Sequence, residues 1–319
     1  MLNRDYKVYI AGHNGLVGSA LLRVFKKAGF HNFICLRSHE LDLRIQSDVD
    51  KFFRREKPDV VLLAAARVGG ILNNINEPAE FIYDNLAIQC NVIHSAYQNN
   101  VKKLLFLGSS CVYPRATPQP IKEDYLLSGR FEPTNEAFAV AKIAGLKMCE
   151  MYNRQYDTNY INVMPCNLYG IGDNFSINNS HVISATIRKV HEAKINNKKH
   201  VVVWGTGKPR REIMYADDLA DAALFLLDND LGYEYVNVGT CNDISIEDLT
   251  RLVMKVVGYD GEITYDNSKP DGIPQKLMDC SRLSDAGWHC KTPLYEGIKK
   301  TYEWFLDNYN DFDLKHMEI

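Results

Sequence analysis

The sequence has no long apolar run, no paired cysteines, no marked excess of one charge and no low-complexity stretch. Its longest uninterrupted apolar segment, residues 60–66, is far too short to cross a bilayer, which takes about 20 residues. The eight cysteines stand singly, without a CxxC pair or zinc-ligand spacing. Neither a disulfide framework nor a metal site is therefore expected, and reduced thiols point to the cytoplasm. With 37 basic and 40 acidic residues the net charge is −3, so no nucleic-acid surface or polybasic membrane anchor is expected. The chain enters a strand pattern almost directly after Met1, with no apolar leader core. A small molecule is the partner this balance favours.

What is present is regular alternation. Residues 7–11, 32–36, 60–65 and 103–108 read as strands, and residues 18–28, 47–55 and 78–99 as helices, with Ser47 the expected N-cap of the second. Apolar runs of this length, each followed by a helix, predict a parallel sheet covered on both faces, with a ligand crevice at the carboxyl ends of its strands. Beyond about residue 164 the pattern loosens. Residues 170–179 read as a polar loop, 201–204 and 235–237 as strands, and 217–228 and 294–306 as helices, the remainder being mixed. The fold class is α/β: a Rossmann-type doubly wound parallel sheet with a smaller mixed α/β substrate lobe. Residues 1–165 with about 213–240 are expected to form the cofactor domain, and 166–212 with 241–319 the lobe.

The first strand leads into Gly12-His-Asn-Gly15-Leu-Val-Gly18, a GxxGxxG at a strand-to-helix junction. Gly12 suits a tight turn, Gly15 lets a pyrophosphate approach the backbone, and Gly18 allows close packing of the helix. The first amides of that helix, at Leu16 and Val17, then face the phosphates. After the second strand stand Arg37 and Ser38 rather than an acid, which favours the 2′-phosphate of NADP(H) over the bare ribose of NAD. Asp42 and Leu43 are placed near the adenine. The small side chains of Ala64, Ala65 and Ala66 suit either a cofactor lying along the third strand or simple close packing.

Two segments carry candidate chemistry: LGSSCVYP at 107–114, after a strand, and PTNEAFAVAK at 133–142, opening a helix. Together with AAARVGGI at 64–71, AKIAG at 141–145, NLYG at 167–170, NFSINNSHV at 174–182 and WGTGKPRRE at 204–212, they resemble the extended short-chain dehydrogenase/reductases. Within that superfamily the likeness is to the GDP-fucose synthase group, GDP-4-keto-6-deoxymannose 3,5-epimerase-4-reductases. The resemblance implies that Ser109, with Ser110 beside it, binds the C4 ketone of the sugar. Lys142 would hold the nicotinamide ribose and lower the pKa of a hydroxyl one turn earlier. Cys111 and His181 would be the base and acid at C3 and C5, with His181 also near the cofactor. A ketone at C4 acidifies both neighbouring carbons, so one base–acid pair can invert each through an enolate.

Phe138 departs from this pattern. It occupies the position of the family's catalytic Tyr, and phenylalanine has no hydroxyl to protonate an alkoxide. Three accounts fit: an engineered Tyr→Phe variant, a natural paralogue using another proton source, or a homologue that binds without turning over. Asn14 and Ala137 also replace an arginine and a proline associated with the pattern.

Cations suited to a diphosphate are Arg188, Lys189, Lys208, Arg210 and Arg211. The resemblance puts Arg211 and Trp204 at the nucleotide, Lys276 closing over it, and Asn167 and residues 178–180, Ser180 included, at sugar or phosphate. The substrate expected is a GDP-linked 4-keto sugar, a 6-deoxyhexose or a heptose. Apolar residues on more than one face of the helices at 78–99 and 138–154 suit burial on two sides, and relatives pair such helices, so a homodimer is expected. Two other classes remain open: a sugar-nucleotide 4-epimerase or 4,6-dehydratase, and a non-catalytic binding protein.

Overall fold

The computed structural model describes residues 1–176, 180–269 and 271–314. Its central sheet is made of segments with nowhere to meet water. Val8–Ala11 (β1) and Val60–Leu63 (β3) are buried at every position, as is Lys103–Leu107 (β4) after its first residue, while Phe33–Ile34 (β2) is a short edge strand. Between them run Leu16–Lys27 (α1), Gln46–Glu56 (α2), Ile71–Asn76 (α3) and Pro78–Gln98 (α4). Glu136–Tyr156 (α5) packs along α4 and leads into Tyr160–Pro165 (β5). Ser47 is not the cap of α2. The extended Ile45 holds that position with no side-chain acceptor, and Ser47 lies inside the helix, its hydroxyl donating to the Asp48 carboxylate at 3.4 Å.

The second half continues with Asn167–Tyr169 (β6), Val182–Ile195 (α6), His200–Trp204 (β7), Arg210–Tyr215 (β8), Ala216–Asp228 (α7) and Tyr235–Val238 (β9). Asp243–Ser245 (β10), Ile246–Val257 (α8), Glu262–Asp266 (β11), Gln275–Lys276 (β12), Ser281–Asp285 (α9) and Leu294–Leu314 (α10) complete it. The large sheet has the order β2-β1-β3-β4-β5-β9 and every pairing is parallel. From β1 the chain steps outward to β2, then crosses back to β3 on the other side. The connections therefore diverge at the carboxyl ends of β1 and β3, which opens a crevice there.

A second hydrophobic cluster gathers α6, α8 and α10 around β8, with Ile187, Leu249 and Phe305 at its centre. Strand β8 pairs antiparallel with β10 and parallel with β6 and β12, so this smaller sheet is mixed. Two sequence-adjacent segments, β8 and α7, thus join the two cores. No helix among the described residues is long and apolar enough to cross a membrane.

Candidate active site

The glycine turn is built by exclusion. Gly12 has φ +85°, and a Cβ there would lie 2.7 Å from the Ala65 nitrogen, so the end of β3 presses directly on the turn. A Cβ on Gly18 would lie 2.0 Å from the Gly12 carbonyl oxygen, so the first turn of α1 sits against the same loop. Gly15 caps α1 in an extended conformation and no side chain takes up the cap position. The opening amides of α1, from Leu16 and Val17 onward, have no acceptor inside the helix and face the crevice end of β1. Nearby, His13 Nδ1 is buried without a partner. A cradle that a methyl group would fill, beside free amides, fits the pyrophosphate of a dinucleotide.

Around the far end of this crevice, the backbone N–H of Arg37 donates to Glu40 Oε2 at 2.7 Å and its side chain is exposed. Asp42 is not free: Arg44 holds its carboxylate with Nη2 at 2.8 Å and keeps it below the usual carboxylate range. Arg44 also reaches Asp84, which Arg67 grips at 2.9 Å. Leu43 is buried, and Ala64, Ala65 and Ala66 are partly exposed at the end of β3. This Arg44–Asp84–Arg67 network had no signal in the sequence, because its members are 17 and 40 positions apart.

At the end of β4 the chain turns through a short 3₁₀ segment, Ser110–Val112. Ser109 caps it, its Oγ accepting the Cys111 N–H at 3.2 Å. Lys142, on α5, is 4 % exposed and Nζ donates to the Leu107 carbonyl at 2.8 Å. Desolvation pushes its ammonium down to about 8. The Phe138 ring lies one turn earlier on α5, its centroid 5.8 Å from Nζ. Lys142 and Phe138 thus lie one turn apart on the same helix, and the Phe138 ring offers no hydroxyl.

Ser110, Cys111 and Lys276 line one narrow cleft, with Glu132, Asn135 and Gln275. Lys276 Nζ donates to Cys111 Sγ at 3.8 Å, a contact between β12 and the β4 turn that spans 165 positions of sequence. In register Lys276 lies opposite Arg211 of β8. Burial lowers the Arg211 pKa, and Asp271 opposes the shift. Asn135 had not been expected in the site. An asparagine before a helix usually caps it, yet this one caps nothing and its Oδ1 is buried and unpaired beside the cleft.

Glu212 organises this side of the cleft. It is fully buried, and its oxygens accept the Cys241 N–H at 2.6 Å and the Met278 N–H at 2.7 Å. Desolvation pushes its carboxyl up to about 7 against the pull of these amides. Asn167 is drawn into the same framework, its Nδ2 donating to the Glu212 carbonyl at 3.1 Å.

The remaining candidates separate. Trp204 is 55 % exposed, with Lys189 Nζ 4.8 Å and Lys269 Nζ 5.5 Å from its ring centroid. Arg188 is no clamp for a diphosphate: it is 4 % exposed and committed to Glu192 Oε1 at 2.6 Å and the Phe175 carbonyl. Arg210 is paired with Asp243 at 2.7 Å. His181 occupies the cap position of α6, exposed and with no capping side-chain bond. Asp173, buried beneath that first turn, accepts from Ser184, and burial raises its pKa while Ser184 and the His181 charge oppose the rise. Ser180 is partly exposed; Asn178 and Asn179 lie outside the described residues. Among the described residues no group of His, Cys, Asp or Glu could hold a metal ion.

A doubly wound parallel sheet, a glycine turn at its switch point, and a Ser and a Lys at the ends of β4 and the facing helix define a dinucleotide-binding protein of the short-chain dehydrogenase type. Residues 8–239 match the NAD dependent epimerase/dehydratase family. The chain is 55% identical over 309 residues to putative GDP-L-fucose synthase 2 of Arabidopsis thaliana, covering 97% of this chain and 94% of that one. It is 48% identical over 317 residues to GDP-L-fucose synthase of Escherichia coli K12, covering 96% and 98%. Among solved structures, an NADP-bound GDP-mannoheptose C4 reductase from Campylobacter jejuni superposes with a TM-score of 0.88 at 42% identity, covering 96% of this chain and all of that one. The chain belongs to the NAD dependent epimerase/dehydratase family, in its GDP-L-fucose synthase branch.

Proposed function

We propose that this protein is an NADPH-dependent enzyme acting on a GDP-linked 4-keto sugar, reducing it at C4 and inverting C3 and C5 where the sugar requires it. The observation that carries this reading is the Cys111 thiol facing Lys276 in the cleft, on the turn that Ser109 caps. An acid–base sulfur at that edge of the sheet suits proton exchange next to a ketone, and the dehydratases of this fold place an acid and a threonine beside the serine instead.

In this reading residues 1–165 and about 213–240 hold the cofactor and the rest hold the sugar nucleotide. Trp204, between two ammonium groups, stacks on the guanine, while Lys189 and Arg211 take the diphosphate. Ser109, with Ser110 and Asn167 alongside, receives the sugar, and the Ser109 hydroxyl donates to the C4 oxygen. Cys111 removes the proton from C3 or C5, and His181 returns one to the opposite face, each time through an enolate whose oxygen Ser109 stabilises. Lys142 binds the ribose next to the nicotinamide, which when bound supplies the hydride for C4. Phe138 leaves the C4 oxygen without the hydroxyl that should protonate it. Eight unbridged cysteines suit a reducing compartment, and we place the protein in the cytoplasm as a homodimer.

The test is NADPH oxidation with GDP-4-keto-6-deoxymannose by the protein as it stands and by Phe138→Tyr. Restoring the hydroxyl should raise turnover about 10²–10⁴-fold. If neither protein oxidises NADPH with this sugar or with a GDP-4-keto heptose, the reading is wrong.

A further inference from the structure

Most polar side chains that line the Cys111 cleft are committed to partners. Tyr113 donates its hydroxyl to Asn237 Oδ1 at 2.6 Å, and Gln119 Oε1 accepts the Leu277 N–H at 2.7 Å. Gln275 Nε2 donates to Asp243 Oδ2 at 2.6 Å, and Glu132 Oε2 pairs with Arg115 Nε at 3.2 Å. Two oxygens stand apart. Thr117 Oγ1 and Asn135 Oδ1, both on residues of this cleft, are buried and meet no hydrogen-bond partner among the described residues. A buried oxygen left unpaired is a standing cost to the fold, so a pair of them in one cleft calls for a reason.

Neither residue is loosely held. Asn135 precedes α5, where an asparagine ordinarily accepts an N–H of the first helical turn, yet its side chain makes no such bond and lines the cleft instead. Its backbone N–H donates to the Glu132 carbonyl at 3.1 Å, which fixes the short 3₁₀ turn Pro133–Asn135. Thr117 stands in a segment laced to the stretch that follows Lys276. Besides the Gln119 bond, the Ile121 N–H donates to the Leu277 carbonyl at 2.7 Å, and the Asp279 N–H to the Ile121 carbonyl at 2.8 Å. The walls are thus preset, and the narrow space between them suits one small substituent rather than a whole ring.

An amide oxygen only accepts, whereas a threonine hydroxyl both donates and accepts. A group that satisfies both must donate one hydrogen bond and accept another, which is the pattern of a neutral hydroxyl. A phosphate or carboxylate has no proton for Asn135, a methyl group satisfies neither oxygen, and an ammonium would share the cleft with Lys276. Resting on the sugar-nucleotide reading above, we propose that Asn135 and Thr117 form a specificity subsite for one hydroxyl of the sugar. That hydroxyl donates to Asn135 Oδ1 and accepts from the Thr117 hydroxyl. It is carried either by a ring carbon, and then by both a 6-deoxyhexose and a heptose, or by a carbon beyond C5, and then by the heptose alone. Neither residue exchanges a proton with the substrate; together they orient the ring toward the Cys111 thiol.

The test uses the full chain carrying Phe138→Tyr, with NADPH and, separately, GDP-4-keto-6-deoxymannose and a GDP-4-keto heptose. Thr117→Val and Asn135→Leu, added singly, nearly keep the shape of each side chain and remove its polar atoms. Each should lower kcat/KM roughly 3–10-fold, the worth of one neutral hydrogen bond, and leave NADPH affinity unchanged. Asn135→Leu should melt no earlier than its parent, because an unpaired buried oxygen is removed; an asparagine with a merely structural role would lower the melting temperature instead. A loss with both sugars assigns the hydroxyl to the ring, and a loss confined to the heptose assigns it beyond C5. If both variants keep the parent kcat/KM on every sugar the parent turns over, the two oxygens meet only water and the subsite is overturned while the enzyme reading stands. If the Phe138→Tyr parent turns over neither sugar, the enzyme reading falls and takes the subsite with it.

Discussion

At Lys142 the fold keeps an ammonium 4 % exposed, with a hydrogen bond to the Leu107 carbonyl. Its pKa of about 8 lies below the ordinary 10.5, so between those values the unfolded chain holds a proton that the fold has released. Unfolding takes up a proton in that window, and the stability of the protein rises with pH across it. Below about 8 the full cost of the buried charge is present, on the order of 3 kcal/mol. Lys142→Met, free of cofactor, should melt at a higher temperature than the parent at pH 7, with the gap narrowing toward pH 10. A gap independent of pH would show that Lys142 does not titrate as a buried group. A residue retained at such a cost supports the proposed role of Lys142 beside the nicotinamide ribose, where Phe138 offers no hydroxyl. The Lys142–Phe138 relation was readable from the sequence because both lie on one helix face. The Lys276–Cys111 contact was not, since nothing local marks two residues 165 positions apart as neighbours.

Among the elements, β1, β3 and β4 were legible because each is an apolar run buried along nearly its whole length, and the half-buried edge strand β2 because its short apolar run follows a helix. Strand β5 was not. Asn162 interrupts its apolar pattern, and that residue is buried only because its Nδ2 donates to the Leu146 and Glu234 carbonyls. Helix α8 carried a readable start signal in Ser245, whose hydroxyl accepts the Asp248 N–H at 3.0 Å, but it stands in a stretch without the strand–helix rhythm. The glycine turn was legible in its place at the β1–α1 junction. It also yields a prediction. Gly18→Ala would set a Cβ 2.0 Å from the Gly12 oxygen and 2.6 Å from its carbon, and neither backbone atom can move without displacing the end of β3 or the start of α1. A loss of about 1–3 kcal/mol of stability is expected, together with weakened NADPH binding. Thermal melting and fluorescence titration check both effects. Unchanged cofactor affinity would mean that the turn is not the pyrophosphate cradle.

For the molecule as a whole, α4 and α5 pose a problem of coverage. Gln89, Val92 and Ile93 of α4, with Ala141 and Leu146 of α5, are buried within this chain. Other faces of the same two helices leave Tyr83 at 67 % exposure and Val140 at 37 %, with Ala144 and Cys90 exposed as well. An apolar surface formed by two adjacent helices suits a second copy of the same pair, related by a twofold axis that brings each residue near its own mate or its neighbour. In such an isologous contact a single substitution acts twice, once from each side. Light scattering should therefore give twice the 36.4 kDa mass of the chain. Ala144→Glu should halve it, because two carboxylates would be forced into an apolar seam, while the helical signal stays unchanged. A parent protein that runs as a monomer would remove the homodimer from the proposal. A dimer that survives Ala144→Glu would move its interface to another face.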